Sequence, residues 1–195
     1  MNTNTLLPYV FGRGNVDGRA STGLLVLRVL AGTAMAIHGS TKMMTPFTWM
    51  GPSASMPGAL QFLGAFAEFG GGIAWILGLL TPIATAGILF TMVMGILTWH
   101  IPMHEPFIRL TVGMATPGPG EPWGIYPTWL ARAGGQSIAG SGSSELASLF
   151  IAMSAVLLGI GPGRFSLDAL LARRFGRDAA QRDLLPHYAH QRGAS

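Results

Sequence analysis

A single carboxylate, Glu68, lies near the middle of an apolar stretch that is long enough to cross a bilayer. The stretch, Gln61 to Leu80, reads QFLGAFAEFGGGIAWILGLL, and about 20 apolar residues span the hydrocarbon core. A charge at that depth costs roughly 2.5–3.5 kcal/mol on insertion scales, so it is expected to be paired or neutral and to serve a function. Glu68 is therefore the first candidate site residue.

The preceding apolar run carries one charge of the opposite sign. This run extends from Thr22 to His38 and contains Arg28, well inside it. Counted from the helix ends, Arg28 and Glu68 are predicted to differ in depth by only about 3 Å, since an α-helix rises 1.5 Å per residue. The pattern predicts that the two side chains form a buried ion pair, or line a polar cavity, between two helices.

The composition supports a membrane protein and excludes several kinds of site. Of 195 residues only 10% are charged, and the mean hydropathy is +0.44, which is typical of membrane-embedded chains. The chain has no cysteine, which excludes disulfides and cysteine-ligated iron–sulfur clusters. The motifs of nucleic-acid modules are absent, so no nucleic-acid partner is predicted.

The predicted fold class is all-α: a four-transmembrane-helix bundle. A long outer loop, residues 101–143, separates the third and fourth helices, and a short cytoplasmic amphipathic helix capped by Ser166 follows the fourth. The predicted organisation is an N-terminal cytoplasmic segment, a membrane domain and a basic cytoplasmic tail, over residues 1–21, 22–168 and 169–195. The predicted spans cover residues 22–42, 59–80, 83–100 and 145–161.

The distribution of Lys and Arg predicts the orientation. The N-terminal segment and the C-terminal region together hold eight of these residues, whereas the two opposite loops hold three. Cytoplasmic loops carry the excess of positive charge in multi-pass proteins. With four spans, both termini are therefore predicted to be cytoplasmic in a bacterial-type inner membrane.

Other candidate site residues lie at the predicted outer ends of the helices. His38 and Lys42 are four residues apart, so they are neighbours on one helix face. His100 ends the third predicted span and is followed by His104 and Glu105, but Pro102 lies between the histidines and weakens the geometry of a metal site. A polar cap at the interface is the alternative there, and no metal is predicted.

Three groups of residues together resemble the DoxX family of small four-helix membrane proteins. The similarity covers residues 22–100 and 145–168. The patterns are R-x3-G-x5-H-G-x2-K from Arg28 to Lys42, F-x5-E-x2-G-G from Phe62 to Gly72, and GPGRFSLD from Gly161 to Asp168.

The resemblance implies a function, because the family includes the membrane subunit of a thiosulfate:quinone oxidoreductase. It implies a quinone-linked oxidoreductase subunit, with quinone as cofactor and with the lipid bilayer and further subunits of a membrane complex as partners. A quinone needs hydrogen-bond donors and a proton route. The predicted catalytic residues are Glu68, His38 and His100, and the predicted quinone-binding or substrate-binding residues are Arg28, His38, Lys42 and Trp75.

Two other interpretations remain open. In one, the chain is a non-catalytic structural or assembly subunit of a larger electron-transfer complex, and an Arg28–Glu68 pair sets the helix register without chemistry. In the other, His38 and His100 anchor a haem by bis-histidine ligation.

Overall fold

The computed structural model describes residues 17–52, 54–110, 131–133 and 142–174, and most of these residues are helical. A π-helical turn, Ile96–His100, continues the third helix. The mostly helical character confirms that part of the predicted fold class. The helices are α1 (Gly18–Lys42), α2 (Gly58–Leu77), α3 (Thr81–Gly95), α4 (Glu145–Ile160) and the short α5 (residues 167–174).

Three of the described helices are long and apolar enough to cross a membrane: Gly18–Lys42, Gly58–Leu77 and Thr81–His100. α4 is apolar but shorter, with 16 residues. α1 begins four residues before the predicted span, because the Asp17 carboxylate accepts a hydrogen bond from the Ala20 N–H at 2.9 Å and caps the helix there.

The exposed faces of the long helices are apolar, as expected for surfaces in contact with lipid. Exposed side chains on α1 and α2 include Leu30, Ile37, Leu63 and Phe66. The small and polar residues lie instead on the buried faces, among them Arg28 and Gly39 of α1 and Glu68 of α2. Together with their length, this pattern shows a membrane protein.

α1 and α2 pack against each other as an antiparallel pair whose backbones nearly touch. A Cβ added to Gly39 would fall on the backbone of Phe69, and one added to Gly32 would lie 2.7 Å from the carbonyl oxygen of Gly72. Small residues permit such close approach of membrane helices. These contacts set the register of the pair, with Gly39 opposite Phe69 and Gly32 opposite Gly72.

A tight turn joins α2 to α3. Gly78 adopts φ 63°, and the N–H of Leu79 donates to the Ala74 carbonyl, which is the Schellman arrangement at a helix C-terminus. Leu80 also has a positive φ, 48°, which is strained for a residue with a branched side chain. This turn therefore depends on contacts from elsewhere in the chain to hold its shape.

The chain divides into two compact units: residues up to Gly87 with those from Val156 onwards, and Ile88–Ala155. In the second unit, two short strands that the sequence did not predict pair in parallel, β1 (Ile108–Leu110) with β2 (Ala131–Ala133). The Ser144 N–H donates to the Pro106 carbonyl at 3.1 Å just before α4 begins. Residues 111–130 and 134–141 of the predicted 101–143 loop lie outside the described residues.

α5 follows a break at Gly161–Gly163. The Ser166 hydroxyl accepts a hydrogen bond from the Ala169 N–H at 3.1 Å. Residues 1–16 and most of the predicted basic tail lie outside the described residues.

Candidate functional site

Glu68 is paired with Lys42, at the end of the α1–α2 pair where residues 43–57 connect the two helices (the loop end). Lys42 Nζ lies 2.5 Å from Glu68 Oε1, and the side chains are 26% and 5% exposed, respectively. The ammonium also lies 4.4 Å from the centre of the Trp49 ring, a cation–π contact. We call Lys42, Glu68, Trp49 and Gln61 the Lys42 cluster.

Gln61 explains how the connecting loop is held against this pair. Its side-chain amide donates to the Met56 carbonyl at 2.9 Å and its Oε1 accepts from the Met50 N–H at 3.1 Å. Its backbone carbonyl accepts from the Trp49 indole N–H at 2.9 Å. One nearly buried side chain on the first turn of α2 therefore fixes the loop that carries the indole ring.

The geometry of the Lys42 cluster suits proton transfer near a polar ligand. A nearly buried carboxylate is hydrogen-bonded to a partly exposed ammonium, and such charge-assisted bonds are short and strong. Lys42 therefore connects the interior position of Glu68 with the surroundings of the protein. A hydrogen-bond donor, an aromatic face and a carboxylate therefore lie beside one another at the loop end.

His38 precedes Lys42 by one helical turn but is more exposed than Lys42. Its side chain is exposed, whereas Gly39 is buried against α2. Within the described residues, the ion pair at the loop end is formed by Lys42 and Glu68 without His38. The predicted catalytic role of His38 remains a prediction.

Arg28 is at the other end of the α1–α2 pair, where residues 78–80 connect α2 to α3 (the turn end). Its side chain is 0% exposed. Its two terminal nitrogens donate to backbone carbonyls, Nη1 to Trp75 at 3.3 Å and Nη2 to Phe165 at 2.5 Å. Arg28, Asp168, Trp75 and Thr81 form what we call the Arg28 cluster.

The predicted Arg28–Glu68 ion pair is wrong. Arg28 and Lys42 are fourteen residues apart on α1, which places them about 21 Å apart along the helix. The glycine contacts put Glu68 level with Gly39 and Lys42, and put Arg28 level with Trp75 and the turn. Depths counted from predicted helix ends missed this register, because the glycine contacts set it.

Asp168 is the buried acid of the Arg28 cluster. Its charge interacts with that of Arg28, but the two side chains do not form a direct ion pair. Its two carboxylate oxygens accept from the N–H groups of Leu80 at 2.7 Å and Thr81 at 2.8 Å. The carboxylate thus caps the N-terminus of α3, where an anion is favoured. Its own N–H donates to the Gly78 carbonyl at 2.8 Å.

The environment of Asp168 perturbs its titration in a defined direction. Burial raises the pKa of the Asp168 carboxyl above its ordinary value, and the hydrogen bonds from Thr81 and Leu80 and the charge of Arg28 oppose that rise. The net effect favours the protonated form more than in a solvent-exposed aspartate.

Trp75 belongs to the Arg28 cluster rather than to the Lys42 cluster. It is fully buried, its indole N–H donates to the Thr85 hydroxyl at 2.9 Å, and that hydroxyl donates to the Thr81 carbonyl at 2.6 Å. The predicted binding set was Arg28, His38, Lys42 and Trp75. The structure brings Arg28 and Trp75 together at the turn end, whereas His38 and Lys42 lie in the last two turns of α1, toward the loop end.

His100 lies in the second compact unit, at the end of the π-helical turn. Its Nδ1 is 2.5 Å from Glu105 Oε2, and both side chains are partly buried. His104 adopts a positive φ of 50° in the following turn and is exposed. In the described part of the chain, no three or more His, Cys, Asp or Glu side chains cluster as metal ligands would.

Sequence reasoning missed Asp168, Gln61 and Thr81 as organising residues. A signal for Asp168 was present, because it is an acid in a segment that otherwise carries Arg164, Arg173 and Arg174. The role of Gln61 had a weaker signal, a polar residue in the first turn of an apolar span. Thr81 contributes a backbone N–H, which no residue type reveals.

Comparison with known proteins identifies one family. The sequence model of the DoxX family matches residues 23–101, which include most of α1, all of α2 and α3, and both polar clusters apart from Asp168. No curated protein and no solved structure matches the chain.

Proposed function

We propose that this membrane protein, whose residues 23–101 match the DoxX family model, is a subunit of a quinone-linked oxidoreductase system of the thiosulfate:quinone type. In this proposal the Lys42 cluster is the quinone site. The observation that carries it is the nearly buried Glu68 carboxylate, hydrogen-bonded to a partly exposed Lys42 that lies over the Trp49 ring.

The roles follow from what a quinone requires. Lys42 would donate a hydrogen bond to one carbonyl oxygen of the bound quinone. Glu68 would pass protons toward that oxygen and would exchange them with the surroundings through Lys42, which is the partly exposed member of the pair. The Trp49 indole offers a flat apolar face to the ring. An acidic residue buried among membrane helices is a functional site by default.

The proposal includes an orientation with four spans and both termini in the cytoplasm. α4 is about 24 Å long at 1.5 Å per residue, somewhat short of the hydrocarbon core of about 30 Å. The excess of Lys and Arg on the two terminal segments supports this orientation. The Lys42 cluster then lies toward the outer leaflet and the Arg28 cluster toward the cytoplasm.

Quinone binding is testable through the indole at the site. The purified chain in detergent is titrated with decylubiquinone while indole fluorescence is followed. We expect saturable quenching whose amplitude falls in Trp49→Phe and whose midpoint rises at least tenfold in Lys42→Gln. Glu145→Gln, in the first turn of α4, is the matched control for Glu68→Gln. Quenching that does not saturate, or that is the same in Lys42→Gln, would contradict the quinone site.

The assembly role is the second candidate, and one observation favours it. Lys42 and Glu68 satisfy each other directly and join the end of α1 to α2, as a purely structural pair would. Co-purification from the native membrane separates the two roles. If Glu68→Gln retains its protein partners but loses quinone reduction, the site is catalytic. If it loses the partners while still quenching with quinone, its role is assembly.

A further inference from the structure

A shallow groove at the turn end combines arginine side chains with exposed apolar residues. Its volume is about 330 Å³, and its lining includes Leu77, Arg164, Phe165, Leu170 and Arg173. Both arginines are exposed. Phe165 is 54% exposed and Leu170 62% exposed, which is costly in water and favourable in the acyl region of a bilayer.

The groove continues the lipid-facing surface of α2. Leu77, the last residue of that helix, is 47% exposed, and Ile73 one turn earlier is 40% exposed. A lipid that lies along α2 therefore meets Leu77 with its acyl chain and reaches Arg164 and Arg173 with its headgroup. Arginine at such a boundary binds a phosphate by paired hydrogen bonds.

The acid in this segment does not cancel the positive charge. Asp168 is 0% exposed, and its carboxylate accepts from the Leu80 and Thr81 N–H groups. The same bonds hold α5 at the end of the membrane-spanning pair. The Arg164 N–H also donates to the Ser21 hydroxyl at 3.2 Å, which fixes the start of this segment against α1.

We infer that this groove binds the headgroup of an anionic phospholipid, with Arg164 and Arg173 on the phosphate and with Phe165 and Leu170 against the acyl chains. The inference is independent of the quinone proposal, because the groove and the Lys42 cluster lie at opposite ends of the α1–α2 pair. It assigns to α5 the task of anchoring the turn end to an anionic leaflet.

The test counts lipids on the detergent-purified full chain by native mass spectrometry. The chain is titrated with dioleoylphosphatidylglycerol or with dioleoylphosphatidylcholine under identical conditions. We expect the anionic lipid to bind more tightly, and Arg164→Gln and Arg173→Gln each to weaken its binding about fivefold, the effect of one basic residue near an anionic surface. Arg19→Gln, an exposed arginine outside the groove, is the matched control and is expected to change binding less than twofold.

Two further arms separate a lipid site from a free-anion site. Leu170→Gln is expected to weaken binding of the anionic lipid, and inorganic phosphate at millimolar concentration is expected not to displace it. Equal affinity for the two lipids would overturn the inference. So would equal effects of Arg19→Gln and Arg173→Gln, or displacement by inorganic phosphate. Elution volume and circular dichroism confirm that each variant is folded before its lipids are counted.

Discussion

Arg28 and Glu68 are both buried charges in the α1–α2 pair, but protein groups satisfy them in different ways. Arg28 is completely buried and donates to two backbone carbonyls, with Asp168 nearby as the compensating charge. Glu68 binds one partner, Lys42, which is partly exposed. The first arrangement ties three separate chain segments together, whereas the second leaves a charged group at the protein surface.

This difference indicates which buried charge has a structural role and which is a candidate for a functional one. The Arg28 cluster holds backbone: the end of α2, the start of α3 and the segment before α5. Among the described side-chain atoms of this cluster, two are buried without a hydrogen-bond partner, the Arg28 Nε and the Thr81 hydroxyl oxygen. The Lys42 cluster instead joins side chains, a partly exposed ammonium and a nearly buried carboxylate. We therefore expect mutations at the turn end to affect folding and mutations at the loop end to affect activity.

The largest expected effect on stability is that of Asp168→Ala. It removes the acceptor for the Leu80 and Thr81 N–H groups, and each buried donor left without a partner costs about 1–3 kcal/mol. Thermal unfolding in detergent measures the loss. Asp17→Ala, which removes only the cap of α1, is the matched control and is expected to cost about 1 kcal/mol. Equal losses in the two variants would show that Asp168 is an ordinary cap.

The next effect is that of Gly39→Ala, which tests the register that separates the two clusters. The added Cβ falls on the backbone of Phe69, so the helices must move apart, at a cost of about 1–3 kcal/mol. Gly64→Ala on α2 is the control, because no atom lies within 4 Å of its added Cβ. We expect the control to unfold at the same or a higher temperature. A Gly39→Ala variant as stable as Gly64→Ala would contradict the close contact.

A smaller change in stability is expected for Glu68→Gln, about 1 kcal/mol, because the glutamine oxygen still accepts a hydrogen bond from Lys42. Quinone reduction is expected to fall at least tenfold, since the amide cannot exchange a proton. Turnover and unfolding temperature are measured on the same preparation, with Glu145→Gln as the control. A variant that loses stability as severely as Asp168→Ala would erase the distinction between the two ends.

The smallest expected effect is a pH dependence that comes from Asp168. Because burial raises the pKa of this carboxyl, the folded chain retains its proton at pH values where the unfolded chain has lost it. The contribution of Asp168 to the free energy of unfolding is then highest below the ordinary carboxyl pKa of about 3.9, and it falls as the pH rises through the raised pKa. Unfolding temperatures of the wild type and Asp168→Asn across this range measure the effect. If the wild type gains stability over Asp168→Asn as the pH rises, the direction is wrong.

Several local features were predictable from the sequence because they depend on neighbouring residues. The apolar runs that form α1, α2 and α3 are read from composition and length, and the Ser166 cap is read from its position before Leu167. The resemblance of residues 23–101 to the DoxX family was visible in short patterns inside α1 and α2. The helical runs and the cap are set by interactions within a few residues along the chain.

The pairing of the charges was decided only by the tertiary structure. Arg28 and Glu68 were each identified from sequence as buried and paired, yet the partner of Glu68 is Lys42, and Arg28 lies with Asp168, 140 residues away in sequence. The register of α1 on α2 comes from the contact of Gly39 with Phe69, and a slide along the helix axis changes every partner without changing any residue. That a charge is buried can be predicted from the apolar run around it, whereas the choice of its partner depends on how two separate helices fit together.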